Sequence, residues 1–238
     1  MTSPHRSTDG RSRGGRPARI SRQEILAAAR HLIESQGVAH LTMRQLAAAI
    51  GTTPMAIYYH VKNKDELLLL LLDDYASSVQ APVLPDDPRE RLFITACFMH
   101  DVLAECPWIV EILTAEDLLA ASALWIVENI LDSAIRCGLT PEQAVHAYRS
   151  IWYYAAGEIL VRAASVSRRA EMDKPVYRDE LFTQLDAERL PRLAALTDRW
   201  TDLTSRDTFR SGLDALVTGL LVMHGAGAAA QLSAETSP

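Results

Sequence analysis

Between Leu41 and Leu72 the chain reads LTMRQLAAAIGTTPMAIYYHVKNKDELLLLLL. Hydroxyls (Thr42, Thr53), phenols (Tyr58, Tyr59), an imidazole (His60) and bases (Arg44, Lys62, Lys64) crowd into one short stretch. That mixture suits hydrogen bonding to phosphate oxygens and base edges rather than covalent chemistry. Elsewhere Glu142 and His146 stand four apart, as metal ligands on one helical face can, and Glu158 with Arg162 repeats the spacing. The same spacing makes ordinary exposed ion pairs and hydrogen bonds, and no Cys/His cluster or histidine pair accompanies it. The chain also has no glycine-rich phosphate loop and no nucleophile elbow. No catalytic residue, no metal and no cofactor is therefore expected, and the protein is not read as an enzyme.

These side chains are positioned by helices whose ends are written in the sequence. Ser21 and Glu24 form a capping box, Ile20 and Ile25 sit at staple positions around it, and Gly37 supplies the stop. Between them Ile25, Ala28, Ala29, Leu32 and Ile33 repeat on one face. A second box, Thr42 with Gln45, opens a helix of about two turns that ends at Gly51. Thr53 is a good N-cap and Pro54 a good first residue for a third helix, so the turn between them has helix-turn-helix length. Ile57 and Val61, four apart, must face the small core. That leaves Pro54, Met55, Ala56, Tyr58, Tyr59 and His60 at the tip and flanks, where small residues approach base edges, Met55 or Ala56 can pack a thymine methyl, and tyrosine hydroxyls reach phosphates. A three-helix cluster with an aromatic surface fits the same pattern.

The run Tyr58-Tyr59-His60-Val61-Lys62-Asn63-Lys64-Asp65-Glu66-Leu67, with Leu41-Thr42-Met43-Arg44 before it, closely resembles the DNA-binding domain of the TetR family of bacterial transcriptional regulators. The resemblance spans roughly Ser21 to Leu72. It implies that Arg44 reaches a base or phosphate, that Pro54, Met55 and Ala56 form the base-facing tip, and that Tyr58, Tyr59, His60 and Lys64 clamp the backbone. Thr42 and Thr53 complete the expected DNA-binding set. Many members carry Val-Ser after the glycine. Here Thr52-Thr53 keeps the cap, and a proline at the tip removes a backbone donor.

Asn63 and Glu66 cap a fourth helix that runs through six consecutive leucines, Leu67 to Leu72. A helix apolar all round must be covered on most sides. In TetR-like proteins it transmits ligand binding to the DNA-binding domain, although an ordinary core helix has the same composition. Everything after it reads as helix, with no alternating strand and no repeat. Proline-punctuated Ala81 to Pro88 precedes a helix from Asp87-Pro88. Pro107-Trp108 starts a short piece, and an apolar pattern from Leu118 ends at Gly138. Thr140 opens a long helix to about Val166, and polar Ser167 to Glu188 reads as a loop. A short helix near Leu190 to Leu196 precedes a last one carrying Phe209, Leu213, Leu216, Leu220 and Met223. Gly212, Ala215 and Gly219 give that helix a smooth face for close approach. Leu190-Pro191-Arg192-Leu193 and Phe209 to Asp214 resemble the effector domain of the TetR subgroup proper, which implies a homodimer through a four-helix bundle. Packing within the chain would use the same face. His100, Trp108, Trp125, Tyr148, Trp152 and Tyr153 offer aromatic walls with polar tips, suited to a small-molecule site or to the core.

Charge divides the chain in the same way. Of 238 residues, 48% are hydrophobic and the net charge is −6, yet Met1 to Glu66 holds ten Lys/Arg against five Asp/Glu and the remainder fourteen against twenty-five. The basic end is the candidate for a polyanion partner. Residues 1–19, with Arg11, Arg13, Arg16 and Arg19, read as a disordered basic arm, either solvated or reaching a minor groove; Gly15-Arg16-Pro17 resembles the core of an AT-hook. Cys97, Cys106 and Cys137 are an odd count without a signal peptide, which points to a reducing compartment. No stretch is long enough for a membrane span. The expected organisation is all-α: arm 1–19, helix-turn-helix domain 20–66, helical effector-binding and dimerisation domain 67–228, and a disordered tail 229–238. The expected protein is a cytoplasmic, ligand-responsive regulator that binds double-stranded operator DNA as a homodimer, responds to an unknown small-molecule effector and has no membrane partner. Repressor is the first reading and activator the alternative. A small-molecule-binding protein or enzyme with a vestigial DNA-binding domain is the third.

Overall fold

The computed structural model describes residues 20–115, 118–171, 181–182 and 184–235. The basic arm and the last three residues of the chain lie outside them. Every regular element among the described residues is helical, and no single helix there is long and apolar enough to cross a membrane. Contacts divide the chain into two compact units, Met1–Leu67 and Leu68–Pro238.

In the first unit, α1 (Arg22–Gln36) starts where the sequence marks it. The Glu24 amide donates to Ser21 Oγ, and the Ser21 amide donates back to the Glu24 carboxylate at 2.7 Å. Gly37, at φ 84°, ends the helix in a backbone conformation that side chains with a Cβ rarely adopt. A 3₁₀ turn (Val38–His40) leads to α2 (Met43–Ile50), capped by Thr42 and ended by left-handed Gly51. Next, α3 (Pro54–Tyr58) is capped by Thr53 and is shorter than the periodicity implies. Val61 is nevertheless buried, so the chain leaves the helix while still covering the core beside Ile57. Ile25, Ile33, Leu46, Ile57 and Val61 form that core.

The next helix, α4 (Lys64–Ser78), crosses the boundary between the units without a break. Four of its six leucines (Leu67, Leu68, Leu71, Leu72) are buried, and Leu69 and Leu70 are half-buried. The second unit continues with α5 (Pro88–Glu105), α6 (Pro107–Ala115), a 3₁₀ turn (Ala121–Ala123), α7 (Leu124–Arg136), α8 (Pro141–Glu171), α9 (Pro191–Ala194), α10 (Thr197–Ser205) and α11 (Phe209–Glu235). The core helix α5 packs against α7 and α8, and α11 packs against α8 and α5. Polar ties fix this arrangement. Arg91 donates to Asn129 on α7, Arg89 to Asp214 and Thr218 on α11, and Arg210 to Asp101.

The helices differ from the sequence expectation in three places. The polar segment expected as a loop from Ser167 begins as helix, because α8 runs to Glu171 and polarity alone does not stop a helix; residues 172–180 and 183 lie outside the description. The last helix, α11, is long, running through most of the segment expected as a tail. The short α10 escapes a periodicity search because Trp200 and Leu203 are its only large apolar side chains.

Candidate nucleic-acid interface and effector cavity

The first unit presents one face of α2 and α3. Thr42 Oγ1 accepts from the Gln45 amide at 3.2 Å, and Thr53 Oγ1 from the Ala56 amide at 3.3 Å, so both hydroxyls are committed to holding helix starts. Arg44 lies exposed on the first turn of α2. At the start of α3, Pro54 is exposed, Met55 is 77% exposed and Ala56 is half-buried. An apolar methionine so open to water adds nothing to the unit's own stability. Tyr58 and Tyr59 are also exposed, and the Tyr59 ring meets His60 edge-on with centroids 5.2 Å apart. His60 itself is half-buried.

Lys64 has a structural task as well. Its Nζ donates to the Val38 carbonyl at 3.2 Å, tying the first residue of α4 to the turn between α1 and α2. The Glu66 amide donates to Asn63 Oδ1, while the Glu66 carboxylate turns back to the Lys62 amide. The start of α4 is thereby fixed from both sides.

The second unit contains an apolar cavity with about 720 Å³ of empty space, its open mouth included. Leu72, Tyr75 and Ala76 of α4 form one wall, and Phe98, Met99 and Val102 of α5 another. Ile109 and Leu113 come from α6, Ala120, Ala123 and Trp125 from the 3₁₀ turn and the start of α7, and Tyr148 with Trp152 from α8. Among the described residues that line it, none carries a charge. The Tyr75 hydroxyl donates to the Val102 carbonyl at 2.8 Å. Burial, and then the neighbouring Cys106 and Glu105, push its pKa well up, so it stays a neutral donor. Burial alone raises the pKa of Tyr148.

Of the six aromatic or imidazole side chains singled out for this site, Trp125, Tyr148 and Trp152 line the cavity, and His100, Trp108 and Tyr153 do not. His100 is buried between helices. Its Nε2 lies 2.8 Å from Glu158 and its Nδ1 3.2 Å from Asp101, and its ring stacks on Phe209 with centroids 3.5 Å apart. Trp108 is buried, and its indole N–H has no partner among the described residues. Tyr153 is 58% exposed, with the Arg149 guanidinium over its ring. Helical spacing alone does not separate these three from the cavity set, because core, cavity and surface faces all repeat at the same period. Tyr75 and Phe98 were missed; Tyr75 follows Leu72 by three residues, which places both on one face of α4.

The other candidate groups have ordinary tasks. Glu142 is exposed in the first turn of α8, its pKa lowered by its own backbone and by Thr140 before any contribution from His146. Glu158 pairs with Arg162 beside His100. Burial pushes the Cys97 thiol up to about 11, which keeps it protonated and unreactive. Gly212 is used within the chain, since a Cβ there would meet the Tyr154 hydroxyl of α8; Ala215 and Gly219 are exposed.

A capped helix-turn-helix with an exposed face of hydroxyls, phenols and bases, followed by a helical unit around an apolar cavity, defines a two-unit DNA-binding transcriptional regulator. The chain belongs to the TetR family. The model of bacterial regulatory proteins of that family matches residues 25–71, and the tetracyclin repressor-like C-terminal domain matches residues 81–224. The HTH-type transcriptional repressor DrrR1 of Streptomyces coeruleorubidus is 28% identical over 236 residues, which cover 95% of this chain and 84% of that protein. The class A tetracycline repressor of Escherichia coli is 27% identical over 82% of this chain and 88% of its own. Among solved structures, the TetR family protein ActR of Streptomyces coelicolor, in complex with actinorhodin, shares the fold with a TM-score of 0.68 at 23% identity, covering 87% of this chain and 98% of that one.

Proposed function

We propose that the chain is a cytoplasmic repressor that acts as a homodimer on a palindromic operator and leaves it when a small molecule occupies the cavity. The observation that carries this reading is the continuity of α4. Its first residue, Lys64, holds the Val38 carbonyl beside the DNA-facing helices, and its later turns supply Leu72, Tyr75 and Ala76 to the cavity wall. A helix advances about 1.5 Å per residue, and this single element carries both Lys64 and Tyr75. Paired recognition helices must enter successive major grooves about 34 to 36 Å apart. An effector that favours a different separation releases DNA through its differential affinity for the two conformers.

In this reading Arg44, Pro54, Met55 and Ala56 face bases, and Thr42, Thr53, Tyr58, Tyr59, His60 and Lys64 hold the backbone or the helices that reach it. Subunits pair through exposed faces of α8 and α11, where Val145, Val161, Val222 and Met223 lie open to solvent. The protein regulates and does not catalyse, in keeping with relatives named as repressors. The salt dependence of DNA affinity tests the reading. Lys64→Met should weaken all sequences alike and flatten the slope of log affinity against log salt by about one unit. A variant with an unchanged slope would remove Lys64 from the interface.

A further inference from the structure

The cavity wall defines the chemistry of its ligand, given the reading above that this cavity is the effector site. Among the lining residues the polar side chains are two tyrosines and two tryptophans, and the rest are aliphatic or small apart from Phe98 and Met99. An ionised ligand group would find no charged partner among the described lining residues, and burying it unpaired is unfavourable. A chelated cation would find no carboxylate or carboxamide ligand among the described lining residues. Flat aromatic surface is what the wall does offer. Phe98 and Trp125 pack with centroids 5.5 Å apart and planes tilted by 46°, and Tyr148 and Trp152 stand one helical turn apart on α8. The Tyr75 hydroxyl is already committed to the Val102 carbonyl, whereas that of Tyr148 has no hydrogen-bond partner among the described residues. In an apolar pocket such a group fixes orientation.

We infer that the cavity takes an uncharged, planar aromatic effector carrying one hydroxyl or carbonyl, which Tyr148 hydrogen-bonds while Trp125 and Trp152 cover its faces. Calorimetric titration of the full-length protein with four probes tests this: 2-naphthol, naphthalene, naphthalene-2-sulfonate and 1-decanol. Binding of 2-naphthol should be at least about tenfold tighter than that of the sulfonate, which presents the same rings with a charge. It should also exceed that of decanol, which has the hydroxyl without the rings. Tyr148→Phe should weaken 2-naphthol by about three- to tenfold and leave naphthalene unchanged, the signature of one lost hydrogen bond. Sulfonate or decanol binding as tightly as 2-naphthol would overturn the inference, as would no measurable 2-naphthol binding. So would an equal loss for naphthol and naphthalene in the variant. If 2-naphthol binds as stated but the protein enriches no DNA from a random pool, the ligand class stands and the regulatory reading falls. The reverse result sinks the ligand class alone.

Discussion

The two units put their working groups in opposite places. In the first, the side chains with functional chemistry are on the outside and close together in sequence: Arg44, Met55, Tyr58 and Tyr59 are all exposed. In the second, the working surface is an internal wall gathered from α4, α5, α6, the start of α7 and α8. One unit turns polar and basic side chains outward, and the other encloses an apolar space. Their charges follow the same division, basic up to Glu66 and strongly acidic beyond it. A surface site can change without disturbing its core, whereas a cavity is made of the same residues that hold its helices together.

The sharpest test of that separation is also the largest expected effect. Ile57, on the inner face of α3, is fully buried, so Ile57→Ala should destabilise the first unit by about 2–5 kcal/mol. Urea unfolding should then show an early transition with loss of DNA affinity, while the cavity helices keep their own midpoint. A single transition that moves as a whole would break the comparison. Exposed Arg44 should behave oppositely: Arg44→Ala should cost about 1–3 kcal/mol in DNA affinity if it reads a guanine, with the unfolding midpoint unchanged. A smaller effect belongs to Met55. If Met55 packs a thymine methyl, replacing that thymine by uracil should cost about 0.8 kcal/mol, and the difference should vanish in Met55→Ala. An undiminished difference in that variant would assign the methyl to another side chain.

The smallest effect concerns pH. The Glu24 carboxyl is held below the usual carboxylate range, chiefly by the Ser21 amide and then by its hydroxyl. Because the folded pKa is depressed, the stabilisation is present above the unfolded carboxylate value of about 4.3 and is lost as pH falls through the folded value. Glu24→Gln should therefore lower the stability of the first unit slightly at neutral pH, flatten the acid limb of its stability curve and leave the acid end nearly unaffected.

Local signals explain why one unit was legible and the other only in outline. Ser21, Thr42, Thr53, Asn63 and Asp87 mark helix starts through contacts within three residues, and each is found donating or accepting at its expected partner. Gly37, Gly51 and Gly138 mark ends through their positive φ. The all-helical class follows from the same signals. Cavity membership depends on which way helices roll against one another, and that is set by contacts far apart in sequence. Trp108 and Trp125 look alike in the sequence, yet one is packed into the core and the other lines the cavity. The task of Lys64 within its own unit was equally hidden, because its partner is a backbone carbonyl 26 residues away.

Selection of bound DNA from a random pool, repeated with 2-naphthol present, tests the central claim most directly. The account predicts enrichment of a palindrome whose half-sites lie about one helical turn apart, and loss of that enrichment with the ligand. No enriched palindrome under either condition would contradict it.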